Sequence, residues 1–135
     1  MTENEMAPAV KELFANDFRT IEQVRFGRKS IDLAFVPESP DLDTITVEMK
    51  LRDWRRALWQ AQQNRTIGGL SYVAIWHDYS RPCINQRELF SSYGVGLIVV
   101  FETHAVIEFE AISLAKIPSS LKHAWYERLS SLSAI

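Results

Sequence analysis

Ile45-Thr46-Val47-Glu48-Met49-Lys50 is the stretch whose reading decides the fold. Apolar and β-branched residues carry Ile45–Met49 as a strand up to an acid and a lysine two positions apart. Residues with that spacing project from one face of a strand. Upstream, Ile31–Val36 is a second β-prone segment, with Asp32 at its head. The Pro37–Asp43 stretch between them, with two prolines and three acids, reads as a loop. Strict alternation sets Asp32, Ala34 and Val36 on one face and Thr46, Glu48 and Lys50 on another. Where those faces coincide, both carboxylates aim at one place.

Outward from this pair the pattern predicts the order α-β-β-β-α-β-α-β-β-α. Residues 3–16 carry a helical stripe of Met6, Val10, Leu13 and Phe14, and Pro8 suits a first turn, so the helix is expected to start near Ala7. Thr20–Arg25 reads as a short edge strand ending at a turn at Gly27. Residues 53–65 form the clearest helix. Asp53 sits near its start, Trp54, Ala57, Leu58 and Ala61 form its apolar face, and Gly68-Gly69 stops it. Leu70–Trp76 reads as a strand buried on both faces. A short helix over Asn85–Ser92, strands over Gly94–Phe101 and Ala105–Phe109, and a terminal helix over Pro118–Leu132 complete the chain. Leu121, Trp125, Leu129 and Leu132 give that last helix its apolar face. The expected fold is α/β, a mixed sheet flanked by helices, with residues 1–135 as one domain.

With 47 % hydrophobic and 24 % charged residues, the composition describes a globular protein, not a disordered or fibrous one. A net charge of -2 argues against a purely electrostatic DNA coater. Local charge tells more. Lys50, Arg52, Arg55, Arg56 and Arg65 stand against Asp53 alone, and Arg25, Arg28 and Lys29 lead into Asp32. Such runs read as solvated surface or as phosphate contacts, and their position beside the acids favours the second. The lone Cys83 excludes an intramolecular disulfide and suits a reducing compartment. No secretion-signal pattern and no membrane-spanning apolar run is present, so a cytoplasmic protein without a membrane partner is expected.

Buried carboxylates are costly unless paired, hydrogen-bonded or bound to metal. Asp32 and Glu48 are oxygen donors suited to Mg²⁺ or Mn²⁺. Lys50 would contact a phosphate, align water, or hold the carboxylates as a structural cation. The competing reading is an ordinary salt-bridged sheet end. His77, His104 and His123 lack zinc-motif spacing, and no serine–histidine arrangement is supported. Trp54 and Trp59 read first as helix core, and as base-stacking surfaces only second.

Asp32, the Pro37–Asp43 loop and Glu48-Met49-Lys50 together resemble the core of the PD-(D/E)xK nuclease superfamily, over roughly residues 3–76. The resemblance implies a restriction-endonuclease-like mixed sheet and metal-dependent hydrolysis of a phosphodiester, in DNA more than RNA. It makes Asp32 and Glu48 metal ligands, joined by the Met49 carbonyl, with Lys50 catalytic. Gln60, on the helix after the lysine strand, matches a glutamine common in related nucleases, and Asn64 lies one turn on. The proline of the nominal motif is absent, since Ile31 precedes Asp32. A glutamate on the first helix completes the metal set in many members. Glu5 is the leading choice here, with Glu12 and Glu3 as competitors. Arg28, Arg52, Arg55 and Arg56 are the phosphate-contact candidates, with Asn64 also on the nucleic-acid side. A homodimer, or a protein partner that supplies specificity, fits so small a domain. Two other functions stay open: a noncatalytic nucleic-acid-binding or assembly module on the same fold, and a metabolic protein holding a small phosphate ligand.

Overall fold

The computed structural model describes residues 1–39, 42–114 and 117–133. The chain runs α1 (Glu3–Phe14), β1 (Phe18–Phe26), β2 (Lys29–Pro37), β3 (Thr44–Lys50), α2 (Trp54–Gly68), β4 (Gly69–Trp76), a 3₁₀ turn (His77–Tyr79), α3 (Arg81–Ile84), α4 (Arg87–Tyr93), β5 (Gly96–Val100), β6 (Ala105–Phe109) and α5 (Ser119–Ser133). The expected order holds, with α4 as the helix expected over Asn85–Ser92 and the short α3 added before it. Pro40 and Asp41 of the expected loop lie outside the described residues.

The six strands lie side by side in sequence order. β1, β2 and β3 form an antiparallel meander, β3, β4 and β5 run parallel, and β6 returns antiparallel to β5. Helix α2 makes the crossover from β3 to β4, and α3 with α4 the crossover from β4 to β5, as parallel neighbours require. The result is a mixed, open sheet flanked by helices, as expected. Gly69 is fixed by the β3–β4 pairing: its φ is +140°, and a Cβ there would lie 2.1 Å from the Thr44 carbonyl oxygen.

Three apolar clusters fill the layers. Met6, Ala7, Val10 and Phe14 of α1 pack on Leu33, Phe35, Ile45, Val47 and Met49. On the opposite face, Trp54, Ala57, Leu58 and Ala61 of α2 meet Val73, Ile75, Phe90 and Leu97. Trp125 and Leu129 of α5 close over Val24, Ile31, Ala34, Val36 and Ile67. Cys83 lies within the second cluster, and burial pushes its thiol up to about 12, the profile of an inert core residue. Among the described residues, no helix is long and apolar enough to cross a membrane.

Two sequence expectations change. Helix α1 begins at Glu3, four residues before Ala7, and holds Pro8 in its interior. The cause is a capping box: Thr2 Oγ1 accepts from the Glu5 N–H at 3.3 Å, and Glu5 Oε1 accepts from the Thr2 N–H at 3.0 Å. Strict alternation also fails around Asp32. Ile21–Ala34 and Val24–Ile31 are register pairs three residues apart, yet both face α5. Between them Gln23 takes φ +52°, the left-handed region that non-glycine residues seldom enter. The kink falls where Gln23 and Asp32 drop out of the β1–β2 pairing.

Candidate active site

The β2–β3 ladder ends at Leu33–Val47. Beyond it β2 stays paired with β1, while β3 stays paired with β4 as far as Lys50–Ile75, so the sheet opens between them. Asp32 occupies the fork. Its Oδ2 accepts the Met49 N–H at 2.8 Å, so a side-chain carboxylate replaces the missing strand carbonyl. Ala34 and Thr46 are register partners, so the two expected faces coincide at this end of the ladder.

Strand β3 is apolar on one face only. Ile45, Val47 and Met49 pack toward α1, whereas Thr44, Thr46 and Glu48 form a buried polar file. Each member of that file has its own partner. Trp125 Nε1 donates to Thr44 Oγ1 at 2.9 Å, Thr46 Oγ1 and Ser71 Oγ lie 3.0 Å apart, and Asn64 Nδ2 donates to Glu48 Oε1 at 2.9 Å. The Glu48 side chain is only 2 % exposed. Burial, and then the neighbouring negative charge of Asp32, push its carboxyl up to about 8, against the opposing pull of Asn64 and Lys50. Burial and the nearby Asp32 thus favour the protonated form of Glu48.

Lys50 Nζ lies 3.9 Å from Glu3 Oε1. Glu3 is thus the first-helix carboxylate beside the E-x-K lysine. Glu5 is exposed and occupied by Thr2, whose hydrogen bonds hold its carboxyl below the usual range. The T-x-x-E run Thr2–Glu5 carries the signature of that cap, and it is the signal that distinguishes the two glutamates. Among the described residues, no group of three or more His, Cys, Asp and Glu is arranged to hold a metal.

Asn64 is buried, with its side-chain amide committed to Glu48. Gln60, one turn before it, lines a pocket of about 270 Å³ together with Glu48, Asn64, Arg28, Lys29 and Trp59. The Gln60 Oε1 atom is buried there with no hydrogen-bond partner among the described residues. Trp59 belongs to this rim and not to the core, at 63 % exposed, whereas Trp54 is buried as expected. At helix position 59 the side chain falls outside the stripe set by Trp54, Leu58 and Ala61.

The arginines divide. Arg28 is exposed in the two-residue turn between β1 and β2. Arg52 lies over the Tyr79 ring at 4.9 Å and Arg55 over Trp54 at 4.6 Å, cation–π arrangements made by exposed residues. Arg56 is exposed in the first turn of α2. Arg65, counted in the basic run by sequence, is structural. It donates to the Ile112 carbonyl at 2.8 Å and to the Tyr93 carbonyl, and a side chain at Gly94 would collide with it. His77 belongs to another group, tilted against Trp76 at 4.5 Å and stacked on Phe101 at 5.0 Å.

No family model matches the chain, and neither does any curated protein. Among solved structures, a protein of unknown function from Silicibacter pomeroyi superposes with a TM-score of 0.76 at 17 % identity, covering 99 % of this chain and 87 % of that one. At that identity the likeness shows a shared fold and nothing more. A repair endonuclease from Pyrococcus abyssi reaches a TM-score of 0.46 at 14 % identity, over 72 % of this chain and 46 % of its own. SfsA from Pyrococcus furiosus, in complex with Ca²⁺, reaches 0.41 at 14 % identity, over 81 % and 62 %.

Proposed function

We propose that this protein is a Mg²⁺- or Mn²⁺-dependent phosphodiesterase acting on DNA, with Asp32 and Glu48 as its carboxylate ligands. The observation that carries the reading is the convergence of these two acids at the open end of β2 and β3, with Lys50 two residues beyond Glu48. Two carboxylates brought together where one is buried repel each other, and a hard divalent cation relieves that repulsion with the oxygen donors it prefers. Mg²⁺ commonly uses one or two carboxylates and leaves its other positions to water and substrate phosphate, so a two-acid centre matches its habits.

Asp32 is held by the Met49 amide and Glu48 by the Asn64 amide, so both acids are pre-oriented. Burial favours the protonated form of Glu48, and a bound cation would favour loss of that proton. Lys50 attracts the phosphate and stabilises charge that develops on it, and Glu3 supplies the first-helix carboxylate next to that lysine. A bound cation would polarise a phosphoryl oxygen and acidify an attacking water.

The test is cleavage of labelled single-stranded, duplex and branched DNA, and of RNA, in Mg²⁺ or Mn²⁺ against chelator. The native chain is compared with folded Asp32→Ala and Lys50→Ala proteins. Loss of about 10²-fold or more in each variant is expected. Equal cleavage by all three would overturn the assignment, and binding without cleavage would leave the noncatalytic module in its place.

A further inference from the structure

Trp59 is exposed on α2 between two concave surfaces. On one side lies the pocket of about 270 Å³ with Glu48, Gln60, Gln63 and the Arg28–Lys29 turn. On the other lies a second pocket of about 240 Å³, lined by Trp54, Arg55, Gln62 and Tyr93, which Trp59 also borders. We propose that the first pocket takes an unpaired nucleobase stacked on Trp59, so that the substrate or ligand class is single-stranded DNA. The inference rests on the nuclease-site reading for the identity of the polymer, and names the form in which that polymer is bound.

Four observations converge on this. Trp59 is 63 % exposed, while Trp54, Trp76 and Trp125 are buried, so its indole face is not required by the core. Beside it stand the amides Gln60 and Gln63, groups that pair with the donor and acceptor edges of a base. The buried Gln60 oxygen still needs a donor, such as a ring or exocyclic N–H. Cations flank both pockets, Arg28 and Lys29 at one end and Arg55 at the other, and Glu48 is the lone carboxylate among their lining residues. That balance suits a phosphodiester chain running across the indole.

The strand must be unpaired for a physical reason. In a duplex the base faces are covered by their neighbours, and edges and phosphates alone are presented. A single indole can be stacked upon only by a base that has left that stack. The pocket volume falls just under the roughly 300–1,000 Å³ of small-molecule sites, room for one base and not for a folded segment.

The experiment uses the full chain in chelator, where no metal-dependent step takes place. Binding of oligo(dT) and of a blunt duplex of equal length is followed by tryptophan fluorescence and by titration with a labelled strand. Native protein should bind oligo(dT) more tightly than duplex, with quenching of the exposed indole. Trp59→Ala should weaken oligo(dT) binding about 10- to 100-fold, the worth of one base stack, while Trp59→Phe keeps most of it. Duplex binding should change less than about 2-fold in Trp59→Ala. Equal affinity of native and Trp59→Ala protein for oligo(dT) would overturn the proposal, as would a preference for duplex. Since Trp59 is exposed, the alanine variant tests contact and not folding. An absence of cleavage in the metal assay would count against the nuclease reading and leave this binding result standing.

Discussion

Asn64 on α2 donates its side-chain amide to Glu48 on β3 across 2.9 Å, joining the crossover helix to the buried acid of the sheet. The bond places one carboxylate oxygen and lowers the cost of ionising it.

Replacing Asn64 with leucine should therefore act through Glu48. The carboxyl loses a stabilising donor and its pKa moves above the present value of about 8. Denaturant unfolding at pH 8 should show a loss of about 1–3 kcal/mol, the usual cost of leaving a buried polar group unsatisfied. If the protein cleaves DNA, the rising limb of its pH profile should move to higher pH. An unchanged limb with unchanged stability would show that the bond carries neither effect.

Glu48 should also set the pH dependence of stability in metal-free buffer. The folded state keeps a proton on this acid up to about pH 8, whereas the unfolded chain releases it near its ordinary 4.5. Between those values the folded state binds more protons, so stability falls as pH rises. Glu48→Gln should flatten this part of the curve and gain roughly 1–3 kcal/mol at pH 8 over the native chain. Below about pH 4.5 the two proteins should match. Adding Mg²⁺ at pH 8 should restore stability to the native chain and not to the variant.

The two first-helix glutamates should separate cleanly. Glu3 is the residue beside Lys50, so Glu3→Ala should reduce metal-dependent cleavage, by about 10-fold or more, with little change in melting temperature. Glu5→Ala should do the reverse, lowering the melting temperature and sparing cleavage, because Glu5 closes the cap on Thr2. Thr2→Ala removes the other half of that cap and should cost about 0.5–2 kcal/mol.

Gly69→Ala should be the most damaging single methyl in the chain's central strands. The new Cβ would meet the Thr44 carbonyl at 2.1 Å, in a backbone conformation unsuited to alanine. A loss of about 4 kcal/mol, or failure to recover folded protein, is expected in thermal unfolding. A stable alanine variant would show that β3 and β4 shift apart at little cost.

Much of this arrangement was legible in the sequence. The element order, the mixed sheet and the stripes of α2 and α5 follow from periodicity, since Trp54, Leu58, Trp125 and Leu129 are buried where their spacing puts them. The places that escaped are those governed by single local conformations. Gln23 enters the left-handed region with no glycine or asparagine to announce it, and neither it nor Asp32 takes part in the β1–β2 register. Asn64 looks like any polar helix residue until α2 is laid across β3. Residue type alone puts Trp59 in the core, although its helix position points outward. The choice between Glu3 and Glu5 turned on the cap signature at Thr2, which weighs more than distance along the helix.

The polar file of β3 bears on how the chain finds this arrangement. Thr44, Thr46 and Glu48 meet an indole, a hydroxyl and an amide in turn, like the unequal teeth of a key. A slip of one residue would turn Ile45, Val47 and Met49 toward those groups. A slip of two would keep the polar face inward but set each tooth against the wrong ward, stranding the acid away from Asn64. Misaligned pairings of the central strand are therefore penalised by the same three contacts that place the carboxylate.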